Sequence, residues 1–203
     1  DGAELCFARN GFHRTTMHDI CKEAAVSPGA LYVYFDSKEA LIAGLCERDR
    51  AEFSERFTVL AAAPDFLTAL NQLAEHYFAE EPAHKRLMCV EMGVEATRNP
   101  RIAEIVWKVD DFVHASFEAL FLRLKNEGRI APALDIPTLA KAFMVLGDGL
   151  FWRRATDPKF DAKVVLPVVT SMLGGLLNPV PAPATDPKDK PRTKSHRPSE
   201  IAS

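Results

Sequence analysis

No apolar run in this sequence approaches the roughly 20 residues that a membrane-spanning helix needs. With 47% hydrophobic and 26% charged residues, the composition is that of a soluble globular chain. The opening, "DGAELCFARNGF", lacks a basic stretch followed by an apolar one, so nothing suggests secretion. It also lacks an initiating Met and starts in mid-pattern, so further residues are expected upstream. Cysteine is sparse: Cys6, Cys21, Cys46 and Cys89 never form C-x-x-C, which argues against a zinc or disulfide framework and for reduced thiols in a cytoplasmic protein. Alternating β-branched runs bounded by hairpin turns are missing, which leaves an all-α chain. A phosphate-cradling glycine loop, a complete metal-ligand set and a placed nucleophile are missing as well, so no cofactor is expected.

What is present is helical periodicity up to Asn178, cut by turn signals at Asn10-Gly11, Ser27 to Gly29, Asp36-Ser37, Ala63 to Asp65, Glu80 to Pro82, Asn99-Pro100, Glu127 to Pro132 and Thr156 to Asp161. That punctuation predicts nine helices. A length of 203 residues accommodates one substantial core or two small ones. The expected division is a head over 1–45, a body over 46–178 and a Pro/Lys/Arg-rich disordered tail over 179–203. In the tail, Lys188, Lys190, Arg192, Lys194 and Arg197 exceed Asp186, Asp189 and Glu200, which suits a solvated terminus or a nucleic-acid-binding arm.

The head holds the sharpest pattern, "TTMHDICKEAAVSPGALYVYFDSKEAL" from Thr15 to Leu41. Thr16 with Asp19 reads as a capping box starting a helix near Met17 that runs to about Ala25. Ser27 caps a second helix, Pro28 to Phe35, with proline at its first position. Asp36 with Glu39 starts a third. Ile20, Ala24, Val26 and Leu31 are expected to fill the angle between the first two, a helix-turn-helix whose second helix has the size of a DNA major groove. Helical corners of this kind also occur in enzymes and repeat proteins.

The stretch Leu5 to Leu45 resembles the DNA-binding head of the TetR (tetracycline repressor) family. The resemblance rests on Phe7, Gly11 and Phe12, the Thr-Thr before the second helix, Asp19-Ile20, Val26-Ser27, Leu31-Tyr32, Phe35, and Ser37-Lys38-Glu39 followed by Leu41. It implies a double-stranded DNA operator as partner. Thr16 and Lys38 would meet phosphates, Ser27, Pro28, Gly29, Ala30, Val33 and Tyr34 would face the groove, and Tyr32 would lie near the backbone. Arg14 stands just ahead of the second helix and is the one nearby residue able to add a strong base contact. Two features depart from the pattern. Residues 1–50 are not net basic, and Ala25 stands where the family commonly has glycine, at a strain of about 1 kcal/mol if its φ must be positive.

In the body, Leu139, Phe143, Leu146 and Leu150 form one stripe, and Val165, Val168, Val169, Met172 and Leu176 another, with Pro167 a possible kink. Both suit either a four-helix bundle with a second copy, making a homodimer, or the core of a monomer. The long helix from Pro100 to Asn126 carries a mixed face of Asp110, His114, Phe117 and Phe121. With Phe57, Leu73, Tyr77, Met88, Met92 and Phe151 it is expected to line a pocket for a small apolar or amphipathic molecule, the alternative being ordinary core. Asp110 and His114 lack a third metal ligand.

The expected function is thus a ligand-responsive transcriptional repressor released from a palindromic operator, with no membrane association. A regulator without effector is one alternative. An all-α enzyme using Glu91, Glu95, Asp110 and His114 as acid and base is another.

Overall fold

The computed structural model describes residues 1–180, so the Lys/Arg-rich part of the expected tail lies outside the described residues. Nine α-helices occur among them: α1 (Gly2–Arg14), α2 (Met17–Glu23), α3 (Pro28–Tyr34), α4 (Lys38–Ala62), α5 (Phe66–Glu75), α6 (Ala83–Ala96), α7 (Pro100–Asn126), α8 (Ile136–Thr156) and α9 (Ala162–Leu177). The all-α expectation holds. Side-chain caps start most of them: Thr16, Ser27, Ser37, Asp65, Asn99, Asp135 and Asp161 each accept from a main-chain N–H of the first turn. The α4 cap is Ser37, one residue later than the Asp36 expected, because the Ser37 hydroxyl reaches the Ala40 N–H. Pro28, Pro100 and Pro137 fall in first turns, where a missing N–H costs nothing.

The end of α5 was invisible in the sequence. The helix continues into a π-turn, His76–Glu80, closed by the Glu81 N–H donating to the His76 carbonyl at 3.1 Å. The wider turn re-aims Tyr77 into the core and Phe78 toward Gly147 of α8, where a Cβ would lie 3.4 Å from the Phe78 ring. After α9, Asn178 takes a left-handed conformation. Pro179 then pairs with Ile130, and the Val180 N–H donates to the Arg129 carbonyl. The tail expected from residue 179 is therefore tied down through Val180.

Three apolar clusters form the interior. One joins Leu60, Phe66, Leu70, Phe121, Leu124, Leu139 and Phe143 at the centre of the body. A small one gathers Phe78, Leu150, Phe160 and Leu166 beside the π-turn. The third contains Phe7, Phe12, Met17, Ile20, Leu41 and Ile42 of the head together with Met88 and Met92 of α6 and Ile102 of α7. The head core thus extends into two body helices.

A candidate nucleic-acid interface and an aromatic interior

The turn between α2 and α3 is a Schellman motif. The Val26 N–H donates to the Cys21 carbonyl at 3.0 Å and the Ala25 N–H to Lys22 at 3.4 Å, with Ala25 at φ 54°. The position that takes a positive φ is the one at which glycine would be at ease. Of the four residues expected in the angle, Ile20 is buried and Leu31 half-buried, whereas Ala24 and Val26 are exposed. Ala24 instead abuts Gly2, where a Cβ would lie 3.0 Å away, because the left-handed residue turns this short connection outward.

This turn leaves α3 with no buried residue. Val33 is 77% and Tyr34 79% exposed; Tyr32 is also exposed, and nothing lies within 4 Å of a Cβ at Gly29. Ser27, Pro28 and Ala30 are exposed at the start of the same helix. Thr16 and Asp19 make the full capping box: the Thr16 hydroxyl donates to Asp19 Oδ2 at 2.6 Å and accepts the Asp19 N–H at 3.1 Å. Hydrogen bonds from the Thr16 side chain and main chain hold the Asp19 carboxyl below its ordinary range. An anion at this helix start must therefore share Thr16 with a carboxylate. The Lys38 ammonium donates to the Phe12 carbonyl and sits 4.2 Å from the centre of the Phe12 ring.

The near balance of charge in the head has a structural reason. Arg9 pairs with Glu23 at 2.7 Å, Arg48 with Glu4 at 2.6 Å and Arg50 with Glu47 at 2.6 Å. Among the described residues, Arg14, Lys22 and Lys38 are the basic side chains of the head left without an ion pair, and Arg14 and Lys22 are exposed. The Arg9–Glu23 pair ends on α2 itself and Asp19 adds a carboxylate to its first turn, so the α2–α3 face carries acids beside its unpaired bases.

The head is locked to α6. Gly11 takes φ 75°, and a Cβ there would lie 2.9 Å from Glu91 Oε1. That same oxygen accepts the Phe12 N–H at 2.9 Å. Glu95, 1% exposed, meets His13 at 3.0 Å, Arg98 at 2.7 Å and the Asn99 amide at 3.3 Å. Burial alone would raise its carboxyl; Arg98, Asn99 and His13 outweigh this and lower it. Glu91 and Glu95, the acid and base of the enzyme alternative, clamp Phe12 and His13 at the end of α1, just past its kink at Gly11.

The residues expected to line one pocket are divided. Phe57, Leu73, Tyr77 and Phe117 share the central cluster, with Phe57 and Phe117 ring centres 5.1 Å apart and Phe53 and Tyr77 6.0 Å apart. The Tyr77 hydroxyl and His114 Nε2 are buried without a hydrogen-bond partner, and burial pushes the Tyr77 phenol up to about 12. Met88 and Met92 belong to the head–body core, because the buried face of α6 looks toward α1. Asp110 is exposed. Phe151 lies on an open groove of about 320 Å³ between α6 and α8.

The expected dimer stripe on α8 is corrected as well. Leu139, Phe143 and Leu150 are buried in their own chain, and Leu146 is half-buried. On α9, Val165 and Val169 pack on the small cluster and Leu176 on the central one, leaving Met172 exposed. Both helices are apolar on two faces, so periodicity alone does not decide which face turns inward. The outward one carries Val145 and Trp152 of α8 and Val164, Val168 and Met172 of α9.

Two family models match the chain, "Bacterial regulatory proteins, tetR family" over residues 1–45 and "BetI-type transcriptional repressor, C-terminal" over residues 67–178. The chain belongs to the TetR family of DNA-binding transcriptional regulators. This TetR-family chain is 28% identical over 182 residues to the HTH-type transcriptional regulator UidR of Escherichia coli K12, covering 87% of this chain and 90% of that one. It is similar to the solved structure of Salmonella enterica GusR, with a TM-score of 0.73 and 30% identity over 87% of this chain and 91% of the other. Its fold is shared with Bacillus subtilis FadR, solved in complex with stearoyl-CoA, at a TM-score of 0.71 and 20% identity over 85% and 94% of the two chains. Membership in this family answers the enzyme alternative, and no described helix is long and apolar enough to cross a membrane.

Proposed function

We propose that this TetR-family chain is a dimeric repressor that leaves a palindromic operator when a small apolar or amphipathic effector enters its body. The observation that carries the DNA reading is α3, a two-turn helix that presents Tyr32, Val33 and Tyr34 to solvent with no apolar partner in its own chain. Residues 1–45 act as the head and 46–178 as the body. Ser27, Pro28, Gly29, Ala30, Val33 and Tyr34 face the major groove, Thr16, Tyr32 and Lys38 meet the backbone, and Arg14 supplies the strong hydrogen bond. None of the groove positions is Arg, Asn or Gln, so methyl contacts with thymine and DNA shape carry selection.

A second copy covers the outer face of α8 and α9, since Val145, Trp152, Val164, Val168 and Met172 together exceed what scattered surface residues explain. The effector reading rests on Tyr77, whose partnerless hydroxyl belongs to the aromatic cluster of Phe53, Phe57 and Phe117 as a handle for a guest, and on His114, whose Nε2 is likewise buried without a partner. The long-chain ligand named for FadR agrees with an apolar lining.

Selection of bound duplexes from a random pool tests the DNA reading. Inverted half-sites centred about one helical turn apart, or a small multiple of that, are expected. A single unrepeated half-site would overturn the dimeric reading, and no enrichment would overturn DNA recognition itself. Replacing thymine by uracil in the selected site should weaken binding; unchanged affinity would reject methyl reading.

A further inference from the structure

Arg86, in the first turn of α6, is 6% exposed, and its guanidinium has no carboxylate partner. One amino group donates to the Glu81 carbonyl, while Nε is buried with no partner at all. The nearest acid in reach of its field, Glu81, is already held by Lys85 at 2.6 Å. A second arginine, Arg154 in the last turn of α8, donates to the Ala79 carbonyl at 3.3 Å, two residues before the carbonyl that Arg86 holds, and likewise forms no ion pair among the described residues. Burial first, and then the charge of Arg154, pull the Arg86 guanidinium below its ordinary range. Two adjacent arginines with no acid between them store a cost that a bound anion would remove.

The pair also has a setting. Helices α6 and α8 run side by side. Arg86 precedes Cys89 and Val90 by one turn, and Arg154 follows Phe151 by one turn. Those three residues line the open groove of about 320 Å³, whose walls continue through Gly93, Val94 and Trp152 and whose far end holds Asp148. The groove walls are therefore largely apolar, with Thr97 and Asp148 as the polar lining, and the two arginines stand one turn beyond Cys89 and Phe151 without lining it themselves.

We propose that Arg86 and Arg154 form a binding site for the anionic group, carboxylate or phosphate, of an amphipathic ligand whose apolar part lies in the α6–α8 groove. Planar guanidinium forks match both groups, and Arg86 Nε offers an unused donor. The site lies in the α6–α8 groove and not among the aromatic residues around Tyr77, so it goes beyond the effector reading above and rests on that reading only for its regulatory meaning.

The test uses the purified chain without DNA, with octanoate, octyl phosphate and octanol as probes, read by calorimetric titration and thermal unfolding. Both anions should bind and raise the unfolding midpoint, with octanol weaker by about tenfold or more. Whichever anion binds more tightly names the source. Arg86→Gln keeps a donor for the Glu81 carbonyl while removing the charge, so it should fold normally and lose about tenfold in affinity for the anions but not for octanol. Arg154→Gln, at a less buried position, should act in the same direction. Equal binding of octanol and octanoate, or unchanged anion binding in both variants, would overturn the site. So would dissociation of a dimer by Arg86→Gln, which would assign the arginine to an acid of a second copy. Failure to select an operator would sink the repressor reading and leave these binding results standing.

Discussion

At the scale of single residues, the most telling are those held against their preference. Ala25 sits at φ 54° in the turn that sets the angle of α3. Ala25→Gly should stabilise the chain by about 0.5–1 kcal/mol, since glycine reaches this region without the Cβ strain. Chemical denaturation checks it, and no gain would mean that the strain is relieved elsewhere. Tyr77 presents the reverse case, a buried hydroxyl that makes no hydrogen bond. Removing an unsatisfied polar atom costs no interaction, so Tyr77→Phe should leave stability unchanged or higher by about 1 kcal/mol. A loss of that size would show that the hydroxyl has a partner in solution. Lys38 carries two duties. Its ammonium holds the Phe12 carbonyl and ring, and it remains a phosphate contact in the proposed complex. Lys38→Ala should therefore lower stability by about 0.5–1 kcal/mol and flatten the salt dependence of DNA binding by about one unit of slope. An unchanged slope would reduce Lys38 to a structural role.

Among the elements, α2, α3, α7 and α9 are the legible ones. Their starts follow from Thr16, Ser27, Asn99 and Asp161, caps that act through bonds to the first turn and need no tertiary contact, whereas α2 and α3 end at Glu23 and Tyr34, short of the Ala25 and Phe35 expected. The π-turn after α5 was not legible, because its five-residue step depends on packing of Phe78 against α8 and not on any local residue preference. The same reasoning separates the two parts of the candidate site. The α3 residues were expected on the resemblance of Leu5 to Leu45 to the TetR head, which matches them position by position, and they lie exposed. The pocket residues could not be gathered correctly, since Met88 and Met92 have the same apolar character whether they face α1 or an effector. Inward and outward faces of α8 and α9 are likewise both apolar, and only the docked chain shows Leu139 inside and Val145 outside. Val168→Asp, on the outer face of α9, should therefore convert a dimer to monomer in sedimentation while leaving the fold intact. Leu139→Asp should instead unfold the chain, because it buries an unpaired charge. A dimer that survives Val168→Asp would move the interface off this face.

Across the whole molecule, head and body are joined by a shared core and a polar clamp, so the head cannot tilt as a free unit. Met88, Met92 and Ile102 complete the packing around Phe7 and Phe12, while Glu91 and Lys38 grip the N–H and carbonyl of Phe12 from opposite sides. Any displacement of α6 by a ligand must reach the α2–α3 face through this chain. The clamp also has a pH signature. Glu95 and Glu4 both titrate below the ordinary value of 4.5 in the folded chain; burial opposes this in each, and Arg98, Asn99 and His13 on one side and Arg48 on the other overcome it. A carboxyl lowered on folding contributes stability that is complete above 4.5 and is lost as pH falls through the lower, folded value. The unfolding midpoint should therefore hold between neutral pH and about 5, then fall steeply below 4.5. Glu95→Gln should lower stability at neutral pH by about 2 kcal/mol, the range for hydrogen bonds to a charged group, and flatten the acid limb. Protection of the Phe12 amide from hydrogen exchange should drop in Glu91→Ala, since Glu91 Oε1 accepts that N–H. Full Phe12 protection in that variant, together with an unaltered acid limb in Glu95→Gln, would mean that neither carboxylate holds the head, and that the apolar core around Met88 and Met92 carries the coupling alone.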